Sequence, residues 1–351
     1  MAPEQTYLDH AATTPIMPEA RDAWLQGAAI WANPSSPHKA GRAARAALED
    51  ARDRLKKALN WQGELIFTSG ASEALAIGLG RAKVQRRLVS AVEHDAVFRA
   101  APDAQELQMR EGEVDPEALA AALAMPCRPV VAVQSINSET GTILLPYVDN
   151  PLATQVRAAG GLFLADCSQS AGKMALPDAD MVVLSAHKLG GPIGIGALLV
   201  KDFAMLEPSG GQERGYRAGT ENLPGALGFA AALEARTLDD WATTAEQRFD
   251  FKNALFQHGE VLQPGVQCSH IFAVAAPHLA ATAMLIRMDA MGFAISAGSA
   301  CSSGTLKQSR VLKGFGIDED LARRAVRVSI GWNTTPGELD AFAEAWARVN
   351  G

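Results

Sequence analysis

The chain has 351 residues, 48% of them hydrophobic, and a formal net charge of −7. An acidic chain with no basic cluster argues against a nucleic-acid partner, and the longest apolar runs, such as "ALGFAAALEA", are too short to span a bilayer, so no membrane partner is expected. The N-terminus "MAPEQTYLDHAATTP" lacks the charged segment and apolar run of a secretory leader. The four cysteines (Cys127, Cys167, Cys268, Cys301) form neither a C-x-x-C pair nor a zinc spacing, so we expect free thiols in a reducing cytoplasm and no metal site.

Taken in order, "SPHKAGRAARAALEDARDRLKKAL" places Ala44, Leu48, Ala51, Leu55 and Leu59 at helical spacing behind a Ser-Pro start. Short apolar runs follow: "ELIFTSG", "RRLVSAVEH", "PVVAVQSIN", "GLFLADCSQ", "MVVLSAHK" and "GIGALLVK". Several are rich in Val and Ile and too short for helices, so they read as buried strands. A helical stretch, "NPLATQVRAAGG", separates two of them. This alternation predicts an α/β domain with a mostly parallel sheet. Beyond about Asp240 the pattern changes. The helical stretches "TTAEQRFDFKNALFQHG" and "TPGELDAFAEAWARVN" bracket weaker strands, which predicts a smaller α+β domain.

Polar residues collect at the predicted strand ends, where an open α/β sheet places its ligands. In "FTSGASEA", Gly70, Ala71 and Ser72 open a helix and offer either an anion site or a simple Ser cap. His94, in "SAVEHDAV", stands just past a strand, and a structural histidine is the plain alternative. Asp166 closes the strand of "FLADCSQSAGK" and is followed by Gln169; a loop-capping carboxylate is the alternative there. In "LSAHKLGGPIGIGALLV", Ser185, His187 and Lys188 precede a Gly-rich turn. A lysine held between buried elements is either charged and paired or used as an amine. A Schiff-base lysine, an aspartate on a neighbouring strand end and a phosphate-type helix N-terminus together match the needs of pyridoxal phosphate. Cys301 sits in the small-residue loop "ISAGSACSSGT", where an exposed thiol makes sense if its reactivity is used. Cys167 reads as a small buried residue.

The chain resembles the fold-type I, class V aminotransferase group, and within it the cysteine desulfurases of the NifS/IscS type. The resemblance runs nearly end to end, through "YLDHAATTP", "NPSSPHKAGR", "FTSGASEA", "VEHDAV", "NSETG", "ADCSQSAGK", "SAHKLGGPIGIGALLV", "GGQERGYRAGTEN", "SAGSACSSGT" and "RVSIGWNTT". It implies a fold-type I transferase: a large domain, residues 13–240, with a mostly parallel seven-stranded sheet between helices, and a smaller α+β domain, residues 1–12 and 241–351, carrying the cysteine loop. It implies pyridoxal 5′-phosphate joined to Lys188, which would then remove the substrate's α-proton, with Asp166 on the pyridine nitrogen, Gln169 on the ring hydroxyl and His94 stacked on the ring as a catalytic proton shuttle. Ala71, Ser72, Ser185 and His187 would hold the phosphate. Thr220 would reach the phosphate from a second subunit, so a homodimer is expected. Arg327 would grip the substrate carboxylate. The implied reaction takes L-cysteine to L-alanine and leaves sulfur on Cys301 as a persulfide, for delivery to an acceptor such as an iron–sulfur scaffold or a tRNA-thiolation relay.

Some positions depart from the family pattern. Ser138 stands where the family usually has an Asn that touches the cofactor ring hydroxyl. The chain ends soon after its last predicted helix, where relatives that serve a scaffold often extend to dock it. A selenocysteine lyase or another class V enzyme is the nearest alternative. A catalytically impaired paralogue acting as a binding or regulatory subunit is the second.

Overall fold

The computed structural model describes residues 5–146, 148–235, 237–298 and 309–351. Strand β1 (Thr6–Tyr7) leads into helices α1 (Pro18–Ala29) and α2 (Lys39–Ala58), then β2 (Glu64–Thr68), α3 (Ala71–Gly80), β3 (Arg86–Ser90), α4 (Asp95–Ala100) and β4 (Gln105–Leu107). A small hairpin, β5 (Met109–Arg110) and β6 (Glu113–Val114), precedes α5 (Pro116–Leu123), β7 (Pro129–Gln134), α6 (Pro151–Ala158), β8 (Leu162–Asp166), β9 (Met181–Ser185) and β10 (Gly196–Val200). Next come α7 (Leu223–Ala235), α8 (Ala245–Gln257), β11 (Glu260–Leu262), β12 (Ile271–Ala275), α9 (Ala281–Ala290) and β13 (Phe293–Ala294). The chain closes with α10 (Arg310–Gly314), α11 (Glu319–Ala322), β14 (Ala325–Ser329) and α12 (Pro336–Asn350).

The central sheet has seven strands in the order β2-β10-β9-β8-β7-β3-β4, as expected. Only β10 runs against its neighbours; β9, β8, β7, β3 and β4 pair in parallel. All six apolar runs read as strands are strands. The seventh, β4, is an edge strand of three residues, two of them exposed, and has no apolar run to betray it. Alternate residues of each strand enter different cores. Phe67, Val131, Phe163, Val182 and Leu199 pack with α2 and α7, whereas Ile66, Val130, Leu164, Val183 and Leu198 pack with α3. Burial on both faces is why these strands read as unbroken apolar runs.

Helix α2 turns Ala44, Leu48, Ala51 and Leu55 inward, and His38 Nδ1 caps it by accepting from the Gly41 N–H at 3.2 Å. Arg52 on the same buried face forms a two-pronged ion pair with Glu213, Nη1 to Oε2 at 2.8 Å and Nη2 to Oε1 at 3.1 Å. Glu213 Oε2 also accepts from the Phe67 N–H. This ties the "GGQERGYRAGTEN" loop to the sheet.

A second sheet, β11-β12-β14, is antiparallel and packs on α8, α9 and α12. Phe251, Phe272, Phe293, Phe342 and Trp346 meet in its core, largely edge to face. Capping boxes start both long helices here, Thr244 with Gln247 and Thr335 with Glu338. The N-terminal strand joins this layer: β1 pairs in parallel with β13, and Asp9 bridges to Ser329. Among the described residues no helix is long and apolar enough to cross a membrane.

Candidate active site

Sheet register brings the polar strand ends to one edge. Gln134 stands opposite Asp166, Asp166 opposite Val183, and Gly196 opposite both Ser185 and Thr68. A cavity of about 450 Å³ opens along that edge. It is lined by Ala71, Ser72, His94, Ser138, Asp166, Gln169, Ser185, His187 and Lys188, so nine of the residues singled out from the sequence meet there.

At one end of the cavity α3 begins. Its N-cap is Gly70, with φ +154° and no side-chain cap. The reading of a simple Ser cap is therefore replaced: Ser72 lies inside the first turn, and the helix presents uncapped N–H groups to the cavity. Gly196 lets the backbones meet here, since a Cβ on it would lie 2.8 Å from Gly70 Cα and 2.6 Å from the Leu184 carbonyl oxygen. Ser185 and His187 line the same end. His187 Nδ1 is 3.1 Å from Thr13 Oγ1, and burial together with Lys188 pushes its imidazole down to about 4, so it is neutral.

The floor is built around the Ala11 carbonyl. Lys188 Nζ donates to it at 2.5 Å and Gln169 Nε2 at 2.9 Å. Lys188 follows β9 in a single 3-10 turn (Ala186–Lys188). Burial and then Arg327 push its amine down to about 8, against the pull of Asp166 and Asp9. Asp166 is buried at the end of β8, with Oδ1 accepting from the Ser168 N–H at 2.9 Å and its hydroxyl at 2.5 Å. Gln169 Oε1 is buried without a partner among the described residues. His94 Nδ1 accepts from the Ala96 N–H and so caps α4 while its ring stays open to the cavity. Next to it the buried Glu93 accepts at Oε1 from Ser90 Oγ and the Gln134 N–H.

Arg327 comes from β14 of the second sheet. Its Nη1 donates to the Ser138 carbonyl at 2.9 Å and its Nη2 to Asp9 Oδ1 at 2.7 Å, while Nε is buried with no partner among the described residues. Thr220 is exposed and does not line the cavity of its own chain. Cys301 lies outside the described residues. Gly298 and Ser309, the described residues flanking its segment, both rest on Glu139: Ser309 Oγ donates to Glu139 Oε2 at 2.6 Å, and a Cβ on Gly298 would lie 2.3 Å from the same oxygen. Cys167 and Cys268 are buried free thiols, and burial pushes Cys167 up to about 12, so it is inert. Among the described residues no group of His, Cys, Asp and Glu could hold a metal ion.

Sequence reasoning assigned no role to Asp9, Ala11, Glu93, Glu139 or Lys173. All five lie inside or beside motifs it quoted, but their contacts cross the fold: Asp9 and Arg327 are 318 residues apart.

A family model for class-V aminotransferases matches residues 6–342. A cysteine desulfurase of Cereibacter sphaeroides is 33% identical, over 97% of this chain and 94% of the relative. A cysteine desulfurase IscS of Dictyoglomus turgidum is 31% identical, over 98% of this chain and 94% of the relative. Among solved structures, a NifS-like protein from Rickettsia africae superposes with a TM-score of 0.86 at 24% identity, covering 99% of both chains.

Proposed function

The chain belongs to the class-V aminotransferase family, and from its site we propose a pyridoxal phosphate-dependent cysteine desulfurase that converts L-cysteine to L-alanine and leaves the sulfur on Cys301. The observation that carries this reading is the convergence of Lys188, Asp166, Gln169 and the uncapped start of α3 on one cavity. The cofactor fits what is there. Gln169 Oε1 is buried and unpartnered beside Lys188, and helix N–H groups with two neutral or hydroxyl side chains suit a phosphate. When bound, pyridoxal phosphate supplies an electron sink that loosens bonds at the substrate's α and β carbons.

Lys188 is the covalent anchor and the base. With its amine near 8, a usable fraction is unprotonated at neutral pH, so Nζ can take and return the substrate's α-proton. Asp166 stands ready to hold a protonated ring nitrogen, and Gln169 the ring hydroxyl. His94, which lines the cavity, would stack on the ring and shuttle protons. Ser138 offers a shorter reach than an Asn at its position. Ala71, Ser72, Ser185 and His187 would hold the phosphate, and Thr220, outside its own cavity, would serve the site of a second subunit in a homodimer. Arg327 receives the substrate carboxylate. The Cys301 thiolate attacks the substrate sulfur. L-cysteine and the Cys301 thiol become L-alanine and a Cys301 persulfide, with no external oxidant. A sulfur-acceptor protein then relieves Cys301. The free thiols among the described residues suit a reducing cytoplasm.

The test is purified holoenzyme with L-cysteine and a thiol reductant, scored for alanine and sulfide. We expect equal amounts of both, and loss of sulfide with Cys301→Ser. Sulfide release undiminished in that variant would overturn the role of Cys301, and absence of alanine would overturn the activity. Replacing L-cysteine by L-selenocysteine separates a desulfurase from a lyase selective for selenium.

A further inference from the structure

A second cavity, of about 20 Å³, shares Lys188 with the first and is otherwise lined by Lys173, Thr14 and apolar side chains such as Met17, Leu189 and Trp332. That volume holds one water, and three polar residues around it are enough partners. Lys173 also lines a surface cleft of about 600 Å³, together with Asn60, Asp178 and Thr237. Lys173 thus lines both the cleft and the small cavity, and Lys188 both the small cavity and the cofactor cavity.

The hydrogen bonds draw the same line. Lys173 Nζ donates to the Gln169 carbonyl at 3.0 Å, and Gln169 Nε2 donates to the Ala11 carbonyl that also receives Lys188 Nζ. Gln169 thus accepts from one amine and shares with the other the Ala11 carbonyl as acceptor. Among the described residues no carboxylate pairs with Lys173. Burial, with Lys188 adding and Cys268 opposing, pushes its amine down to about 8, so it can both take up and release a proton near neutral pH.

We propose that Lys173 is the proton relay of Lys188, connecting it to solvent from the side opposite the substrate. A proton on Lys188 Nζ passes to a water in the small cavity as that water gives one of its own to Lys173 Nζ. Lys173 then releases a proton into the cleft, and reloading runs the steps backwards. The inference rests on Lys188 being the base that takes the α-proton. Lys173 touches neither substrate nor cofactor and acts only through Lys188.

The experiment gives the holoenzyme L-cysteine deuterated at Cα, in ordinary water, and measures deuterium in the alanine formed. In the native enzyme the deuteron on Lys188 washes out, and most alanine carries none. In Lys173→Met the retained fraction rises roughly threefold or more, whatever happens to the rate. Lys173→Arg fills the same space but does not give up its proton, so it retains deuterium as the Met variant does, and it answers the question if that variant fails to fold. A general loosening of the site would slow the return step and admit solvent, and both lower retention, the opposite of the rise expected here. Unchanged retention in both variants, or full retention in the native enzyme, overturns the relay. Failure of the native enzyme to make alanine overturns the desulfurase reading instead.

Discussion

Arg327 Nη2 donates to Asp9 Oδ1 across 2.7 Å, so the guanidinium assigned to the substrate carboxylate is already neutralised before substrate arrives. Nη1 is held by the Ser138 carbonyl, which leaves Nε as the donor with no partner among the described residues. Substrate must share this fork with Asp9. Asp9→Asn keeps an acceptor oxygen in place and removes the competing charge, so the KM for L-cysteine should fall several-fold while kcat changes less. Arg327→Lys loses the planar fork and should raise KM about 10–100-fold. Steady-state kinetics decide it. An unchanged KM in both variants places the carboxylate elsewhere.

Gly298 and Ser309 meet at Glu139 Oε2, and this convergence frames the segment that bears Cys301. Ser309 serves twice, since its Oγ also accepts from the Leu312 N–H to cap α10. A methyl on Gly298 would lie 2.3 Å from the Glu139 carboxylate, too close to coexist with it. Gly298→Ala should therefore displace the framing and lower sulfide release about tenfold, because nucleophile placement is worth that much for small shifts. Exchange of the α-proton of L-alanine with solvent needs Lys188 but no thiol, and should stay within about twofold. Equal losses in both assays would mean that the substitution disturbs the whole site.

The sheet was legible in the sequence because its strands are buried on both faces. "PVVAVQ" and "MVVLS" are apolar at nearly every position, and each ends where a polar residue reaches the open edge. The polar ends Asp166, Ser185 and Lys188 were legible for the same reason: polarity at the end of a buried run stands out. What could not be read were contacts that no spacing encodes. The Ala11 carbonyl is backbone and has no identity in a sequence, yet it positions both Lys188 and Gln169. Strand β1 is two residues long and pairs with β13 across most of the chain, so it has no periodicity to detect. Lys173 closes "SQSAGK" with nothing in the sequence to single it out, and only the packing of the fold places it beside the small cavity.

Glu93 is buried beside Asp166, and among the described residues no cation pairs with it. Its Oε1 accepts from Ser90 Oγ at 2.5 Å and from the Gln134 N–H at 2.8 Å, and Oε2 has no partner. Burial pushes its carboxyl up to about 8; the two hydrogen bonds oppose this and Asp166 adds to it. The folded protein therefore keeps this proton to about pH 8, whereas the unfolded chain releases it near the ordinary value of 4.5. Between those limits the folded state binds more protons than the unfolded one, so its stability falls as pH rises. The contribution is fully present below about 4.5 and is lost as pH climbs through about 8. Glutamine keeps the accepting oxygen and cannot ionise. Glu93→Gln should thus match the native protein near pH 5 and grow more stable than it toward pH 8, by about 1.4 kcal/mol for each pH unit across the window. Urea unfolding of both proteins at several pH values measures the difference directly, since every other titrating group is common to the pair. A difference that stays flat with pH would mean that Glu93 is ionised in the fold. The His94 segment would then be braced by a buried carboxylate rather than by a neutral acid.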